Sequence, residues 1–338
     1  GALYNTGEIT NIKALFIDNS VADKKYPHGS GGAIQNGASG YSGHIGMLEA
    51  DFVNNRIDVS KDAQGTHNNI LYAQGGAIFN ENKSSIDKIK GNFLNNSVYS
   101  DGYADGGAIH NSMQSEIGEI EGLFVSNHSI VADDSEHYAQ GGAIQNLASS
   151  KINKITGDFI SNYAKGSSTA SGGAIMNSKH AEIDYIKASF VDNYVAASVG
   201  GRYSQGGAIY NSSGSVMKTI EGDFSNNRAF NSTTAGGGAI YNNGAKFEKI
   251  EGNFTDNYAS AENYAGGGAI YNYYGVMDEI DGSFINNYAK AENGTAKGGA
   301  IFSLGSTTLE KDQIVSVSLG MNNFVNDKAF VVENNKLY

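Results

Sequence analysis

Gly-Gly-Ala-Ile-x-Asn occurs eight times in this chain, starting at Gly31, Gly75, Gly106, Gly141, Gly172, Gly206, Gly237 and Gly267. Gly1-Ala2-Leu3-Tyr4-Asn5 is a shortened first copy, and Gly298-Gly299-Ala300-Ile301-Phe302-Ser303 a last one without its Asn. Successive starts from Gly31 lie 44, 31, 35, 31, 34, 31, 30 and 31 residues apart. A unit of that size cannot bury its own apolar face, so the units must stack into one continuous core.

A second block, Ile-x-x-Ile-x-(Gly/Ala)-x-Phe-x-x-Asn, lies between the first. Its Phe is found at 16, 52, 93, 124, 159, 190, 224, 254 and 284, with Asn three residues on in every copy. Four residues before the Phe stands Ile (Leu48 once), and between the two the residue is always Gly or Ala. Ile, small and Phe at i, i+2 and i+4 is the period of a strand with one buried face. The residue after that Ile is polar throughout, as in Lys90, Glu121 and Lys187, and belongs to the water side. A helix would need apolar residues at i+3 and i+4, and each Gly would cost it about 1 kcal/mol.

In Gly-Gly-Ala-Ile-x-Asn, Ile and Asn share one face of a strand and x the other. The paired Gly marks a corner, where the chain needs positive φ or close backbone approach. An inward Asn at fixed register, stacked on its equivalents, would form an amide ladder pairing buried corner groups. The distance from Gly-Gly to Phe is nearly constant, whereas Phe to the next Gly-Gly varies, so insertions such as 60–73 and 132–140 fall on one side of the coil. The fold expected is a right-handed parallel β-helix of about ten coils of ~31 residues, one per repeat, on the order of 48 Å long at ~4.8 Å per coil. The array takes in residues 1–303. Residues 304–338, with Ile314, Val315, Val317 and Leu319 before Phe324, break the register and form a divergent last coil or C-terminal cap. The chain opens inside a repeat and reads as a segment of a longer surface protein.

Composition narrows the function. A net charge of −12 argues against nucleic acid or anionic membrane as partner. No Cys is present, which removes disulfides and thiolate metal sites, and no apolar run spans a bilayer as a helix. The seven His form no metal-binding spacing: His110 is at an x position, and His28, His67 and His137 are assigned to loops. Asp133-Asp134-Ser135-Glu136-His137 lacks the Asp spacing and Gly of a calcium loop. No metal and no cofactor is expected.

Repeated Gly-Gly-Ala-Ile alternating with Phe-x-x-Asn resembles the chlamydial polymorphic membrane proteins and related autotransporter passengers, from Gly1 to about Asp327. The resemblance implies a secreted, virulence-associated passenger carried to the bacterial surface through the outer membrane by a C-terminal barrel. It implies adhesion to a host-cell or bacterial receptor, or to itself, without enzymatic activity. It also implicates both tetrapeptides in adhesion, here Gly31, Gly32, Ala33 and Ile34, and Phe16 with Asn19, with their later equivalents. The strand geometry assigns the motif residues Gly31, Gly32, Ala33, Ile34, Asn36, Phe93, Asn96, Phe159, Asn162, Phe254 and Asn257 to structure instead. The candidate binding surface is an outward aromatic stripe, Tyr210, Tyr241, Tyr271 and Phe302, with Tyr264, Tyr273 and Tyr274 nearby. The alternatives are a carbohydrate-active β-helix enzyme (lyase or hydrolase), for which the stacked Glu221, Glu251 and Asp281 are the best acids, and a phage tail-fibre-like rod.

Overall fold

The computed structural model describes residues 1–22, 28–60, 70–133, 135–198 and 200–305, and beyond these the backbone of four short strands. Among the described residues every regular element is a strand. Each coil contributes to each of four parallel sheets, with two short strands in the second sheet in most coils, so the chain is a parallel β-helix. Sheet 1 holds ten strands, the eight Ile-x-Asn strands flanked by Leu3–Asn5 and Ile301–Leu304, so nine full turns separate its edges.

The coil beginning at Gly75 shows the path. Ile78–Asn80 lies in sheet 1, Ser85–Lys90 and Phe93–Leu94 in sheet 2, Ser97–Ser100 in sheet 3 and Tyr103–Asp105 in sheet 4. Register is strict: Ile78 pairs with Ile109, Phe93 with Phe124, and Ser97 with His128. A slip of one residue would turn every Ile and Phe outward, so the buried face fixes the pairing.

The single strand expected from Ile to Phe is realised only as Glu8–Ile17 and His44–Val53. In later coils the strand breaks at the small residue. A Cβ on Gly91 would lie 1.9 Å from the Ala50 carbonyl oxygen, so neighbouring backbones close up here and the sheet bends. Coil-to-coil bonding carries on through the bend, with Gly91 N donating to Glu121 O at 2.9 Å.

The two glycines of the corner do different work. Gly106 has φ +65°, in the left-handed region that costs a side chain about 1–2 kcal/mol. Gly107 is needed for space: a Cβ there would lie 2.0 Å from the Gly142 carbonyl oxygen and 2.6 Å from the His128 backbone. The Gly-Gly corner therefore abuts the residue that follows the Asn of Phe-x-x-Asn. Both repeat motifs meet backbone to backbone at a waist. On one side lies a thick column of Ile and Phe, on the other a thin column of Ala and Val such as Val98, Ala104, Ala139 and Ala164.

Each motif Asn builds a ladder, and there are two. Asn36 Nδ2 donates to Asn80 Oδ1 at 2.8 Å, Asn80 to Asn111 at 2.8 Å and Asn111 to Asn146 at 2.8 Å. At the last rung Asn272 donates to Ser303 Oγ, which stands where Asn was lost. In the second ladder Asn127 Nδ2 donates to Phe93 O and Asn162 Oδ1, while its Oδ1 accepts from the N and Nδ2 of Asn96. That satisfies all of its amide's strong positions inside the protein. The residue before each of these Asn is Asp, Asn or Ser, and all nine have positive φ, as at Asn95 (53°) and Ser161 (56°). Short polar side chains tolerate that conformation best after Gly. Phe52 to Phe284 stack ring on ring at 4.6–5.0 Å, all fully buried.

Past residue 305, Asn323–Val325 pairs with Ser283–Ile285, placing Phe324 beside Phe284 in backbone register, and Lys328–Glu333 extends sheet 3. Ile314 and Val315, with most of the insertion 60–73, lie outside the described residues.

Candidate functional site: a lateral cleft

The turn at Gly-Gly sets the outer faces of sheets 4 and 1 at a concave angle. Position x of sheet 1 and the last residue of the sheet 4 strand, five positions earlier, therefore meet across it. Gln145 Nε2 donates to Gln140 Oε1 at 3.1 Å, and Lys297 Nζ stands 5.7 Å from the Phe302 ring centroid. Sizes match across the angle. Gly236 and Gly266 face Tyr241 and Tyr271, whose rings would meet a Cβ at 2.7 and 2.4 Å.

This corrects the expected outward stripe. Tyr210, Tyr241 and Tyr271 do form one column on the outer side of sheet 1, at 5.6 and 4.7 Å between rings, and Phe302 follows at 5.2 Å. The three tyrosines are nevertheless only 6–8% exposed. They fill the concave angle as a small aromatic core with Tyr264 and Tyr273. His110 and Gln145, also at x, are 1% exposed for the same reason. The alternation in sequence says which side of a strand a residue takes; only the bend decides whether that side is wet.

Toward the N-terminal half the same angle is polar and open, a cleft of about 470 Å³. Asp105, Gln140 and Gln145 lie in its lining, Tyr72, Tyr103 and Tyr138 along one lip, and Ser178, Lys179 and Ser212 along the other. The Tyr lip comes from the first position of the sheet 4 strands. His28 belongs to it, in the strand His28–Ser30 and not in a loop, stacked on Tyr72 at 5.1 Å. Tyr72 stacks on Tyr103 at 5.1 Å, His137 lies 4.9 Å from Tyr103, and Tyr138 ends the run turned 66° to Tyr103. His67 lies outside the described residues.

Gln145 Nε2 also donates to Asp105 Oδ1 at 3.1 Å and approaches Met176 Sδ at 3.6 Å. Burial pushes the Asp105 carboxyl up to about 7, against hydrogen bonds from Gln145 and Gln74 that pull it down. Burial likewise pulls His110 down to about 3, so its ring is neutral. Three buried polar atoms in or beneath the cleft have no partner: His110 Nδ1, Gln145 Oε1 and Ser178 Oγ.

Two further outer faces differ. Sheet 3 carries a column one residue beyond each Phe-x-x-Asn, with His128, Tyr163 and Tyr194 stacked at 4.7 and 4.8 Å, and Tyr258 on Tyr288 at 4.9 Å. Arg228 takes the place between, 5.6 Å from the Tyr194 ring, and Lys165 lies 5.2 Å from Tyr163. Lys165, Tyr194 and Arg228, with Asp133 and Ser198, border a depression of about 780 Å³. Reading one residue past the motif would have found this column. Sheet 2 presents alternating charge: Lys88 with Glu119 at 3.0 Å, Lys154 with Glu119 at 2.9 Å, and Lys151 with Asp184 at 2.8 Å. Glu221, Glu251 and Asp281 stand in register here, with Lys187 3.8 Å from Glu221 and Lys249 bridging to Glu251. They form a compensated, solvated column. Among the described residues no group of three His, Cys, Asp or Glu is placed to hold a metal ion. Asp133 Oδ1 accepts from Ser198 Oγ at 2.8 Å; Asp134 lies outside the described residues.

Fold and surface together define a parallel β-helix repeat protein, its motif residues spent on the interior and its outer faces left to vary. The family model of the Chlamydia polymorphic membrane protein repeat matches residues 222–243, from Gly222 through Phe224, Asn227 and Gly237-Gly238-Ala239-Ile240 to Asn243. The chain is thus polymorphic-membrane-protein-like in its repeat, and repeat and solenoid together fit a surface-passenger-like protein. No curated protein and no solved structure matches it. No helix among the described residues is long and apolar enough to cross a membrane.

Proposed function

We propose that this chain is the adhesive or self-associating passenger of a bacterial surface protein, exported through the outer membrane, and that it acts by binding and not by catalysis. The match of residues 222–243 to a surface-protein repeat carries this reading. Its motif residues, from Ala33, Ile34 and Asn36 to Phe254 and Asn257, are fully buried, so a partner touches the variable faces between them. The sheet 3 face suits that role, with half-buried rings at Tyr163 and Tyr194 beside Lys165 and Arg228. Aromatic and Arg side chains dominate binding hot spots, and Tyr brings large contact area at low entropy cost. The cleft lining holds one carboxylate, Asp105, where glycoside hydrolysis calls for two.

Beads coated with the chain should adhere to cultured epithelial cells or to each other. The double variant Tyr163→Ser/Tyr194→Ser should lose most of that adhesion while keeping its β-sheet circular dichroism. Coated beads that neither adhere nor aggregate, or cleavage of a polysaccharide by the purified chain, would sink the proposal.

A further inference from the structure

The polar half of the cleft is built differently from the rest of the concave angle. In the C-terminal half Tyr241 and Tyr271 seal the angle against Gly236 and Gly266. In the N-terminal half the column at x is Gln145 and His110, and the facing residues are Gln140 and Asp105. Burying that many polar groups is costly unless each finds a partner. The Gln145 amide nitrogen has two hydrogens but faces three acceptors: Asp105 Oδ1, Gln140 Oε1 and Met176 Sδ. Its own Oε1 has no partner, in a residue only 1% exposed, and the Ser178 hydroxyl, 2% exposed, is likewise unpaired although it can donate as well as accept. The floor around Gln145 is therefore short of donors.

We propose that this cleft is a subsite for a neutral saccharide chain, whose hydroxyls supply the missing donors. One ring would lie on Tyr138, which is turned out of the Tyr72–Tyr103 stack and is 38% exposed, with its apolar face against the phenol. Its hydroxyls would donate to Asp105, Gln140 and Gln145 on the floor. An anion fits the floor poorly, because it would bring acceptors to acceptors in a chain of net charge −12, where Lys179 on the lip is the one cation among the described lining residues. The cleft runs across the coils from Tyr72 to Ser212, about 19 Å at ~4.8 Å per coil. At about 470 Å³ it is within the range of small-ligand sites, about 300–1,000 Å³. The inference deepens the adhesive reading and rests on it only for where such a glycan would be met.

Calorimetric titration of the whole chain with cellohexaose, maltohexaose and chitohexaose, and with a heparin hexasaccharide as the anionic probe, tests it. At least one neutral probe should bind. Tyr138→Ala and Gln145→Ala should each weaken that binding at least about tenfold, or 1.4 kcal/mol. Tyr41→Ala, an exposed ring in the loop beside Ala38, should leave it unchanged. Tyr138 is on the rim, so its variant reports on binding even where the Gln145 variant perturbs folding. The proposal is overturned if no neutral probe binds at about 10 mM, if only heparin binds, or if binding survives both variants. Beads that adhere while no saccharide binds would remove this inference alone; saccharide binding without adhesion would remove the adhesive reading alone.

Discussion

At the scale of single residues, Asn127 shows why the motif is so regular. Its amide answers Phe93 O, the N and Nδ2 of Asn96 and Oδ1 of Asn162, all in a waist without water access. Asn127→Ala orphans several of these at once, and a buried unpaired group costs about 1–3 kcal/mol. A loss of about 3 kcal/mol or more in urea unfolding is expected; a loss below about 1 kcal/mol would mean that the ladder is ornamental. Asp105 and His110 make a second prediction, in opposite senses of pH. Asp105 is raised from 3.8 to about 7, so its contribution is full below pH 4 and lost as pH rises through 7. His110 is lowered from 6.5 to about 3, so its contribution is full above pH 6.5 and lost as pH falls toward 3. Each effect is worth up to about 4–5 kcal/mol, and between about pH 4 and 6.5 they cancel. Lys179 acts electrostatically on both groups, and Gln145 Nε2 hydrogen-bonds Asp105. Urea midpoints should be nearly flat with pH for the natural chain, fall with rising pH for His110→Phe, and rise for Asp105→Asn. Equal slopes in all three would refute the assignment.

At the scale of the element, the corner and the concave angle separate what sequence makes legible from what it does not. Gly107 is the second glycine of a repeated pair and Gly40 a lone one outside the motif, and a Cβ at Gly107 meets backbone at 2.0 Å whereas one at Gly40 meets nothing within 4 Å. Gly40→Ala should cost only the strain of φ +82°, about 1–2 kcal/mol. Gly107→Ala should unfold its coil and expose the waist to protease. Comparable proteolysis of the two would show that the waist can open. The paired Gly, the inward Ile and Phe and the Asn ladder were all legible, because a fixed residue type at fixed register has few physical uses. The burial of Tyr241 was not, since alternation names a face without saying which way the sheet turns beyond it. The Tyr lip of the cleft was hidden for a simpler reason. Tyr72, Tyr103 and Tyr138 precede the corner in a strand of three residues, too short for any period to show.

At the scale of the whole molecule, the stack should behave as a one-dimensional object in which a coil is the unit that can be removed. Deleting residues 141–171 takes out one complete period of 31 and joins Gln140 to Gly172. Ile109 and Asn111, which now pair with Ile144 and Asn146, would meet Ile175 and Asn177, the residues that follow in the same columns. Phe124 would stack on Phe190, and Asn127 would donate to Asn193 where it now donates to Asn162. Every ladder closes again, so the shortened chain should fold with an unchanged β signature and little loss of stability per residue. Removing half that length from the same coil should abolish folding, because it puts Ile and Phe opposite the wrong partners. The same deletion takes Gln145 out of the cleft and sets Met176 beside His110, so a chain that folds yet no longer binds a neutral saccharide is the joint expectation. If the full-period deletion fails to fold while the half-period one succeeds, the coils are not equivalent, and interior ladders cannot be what holds the rod together.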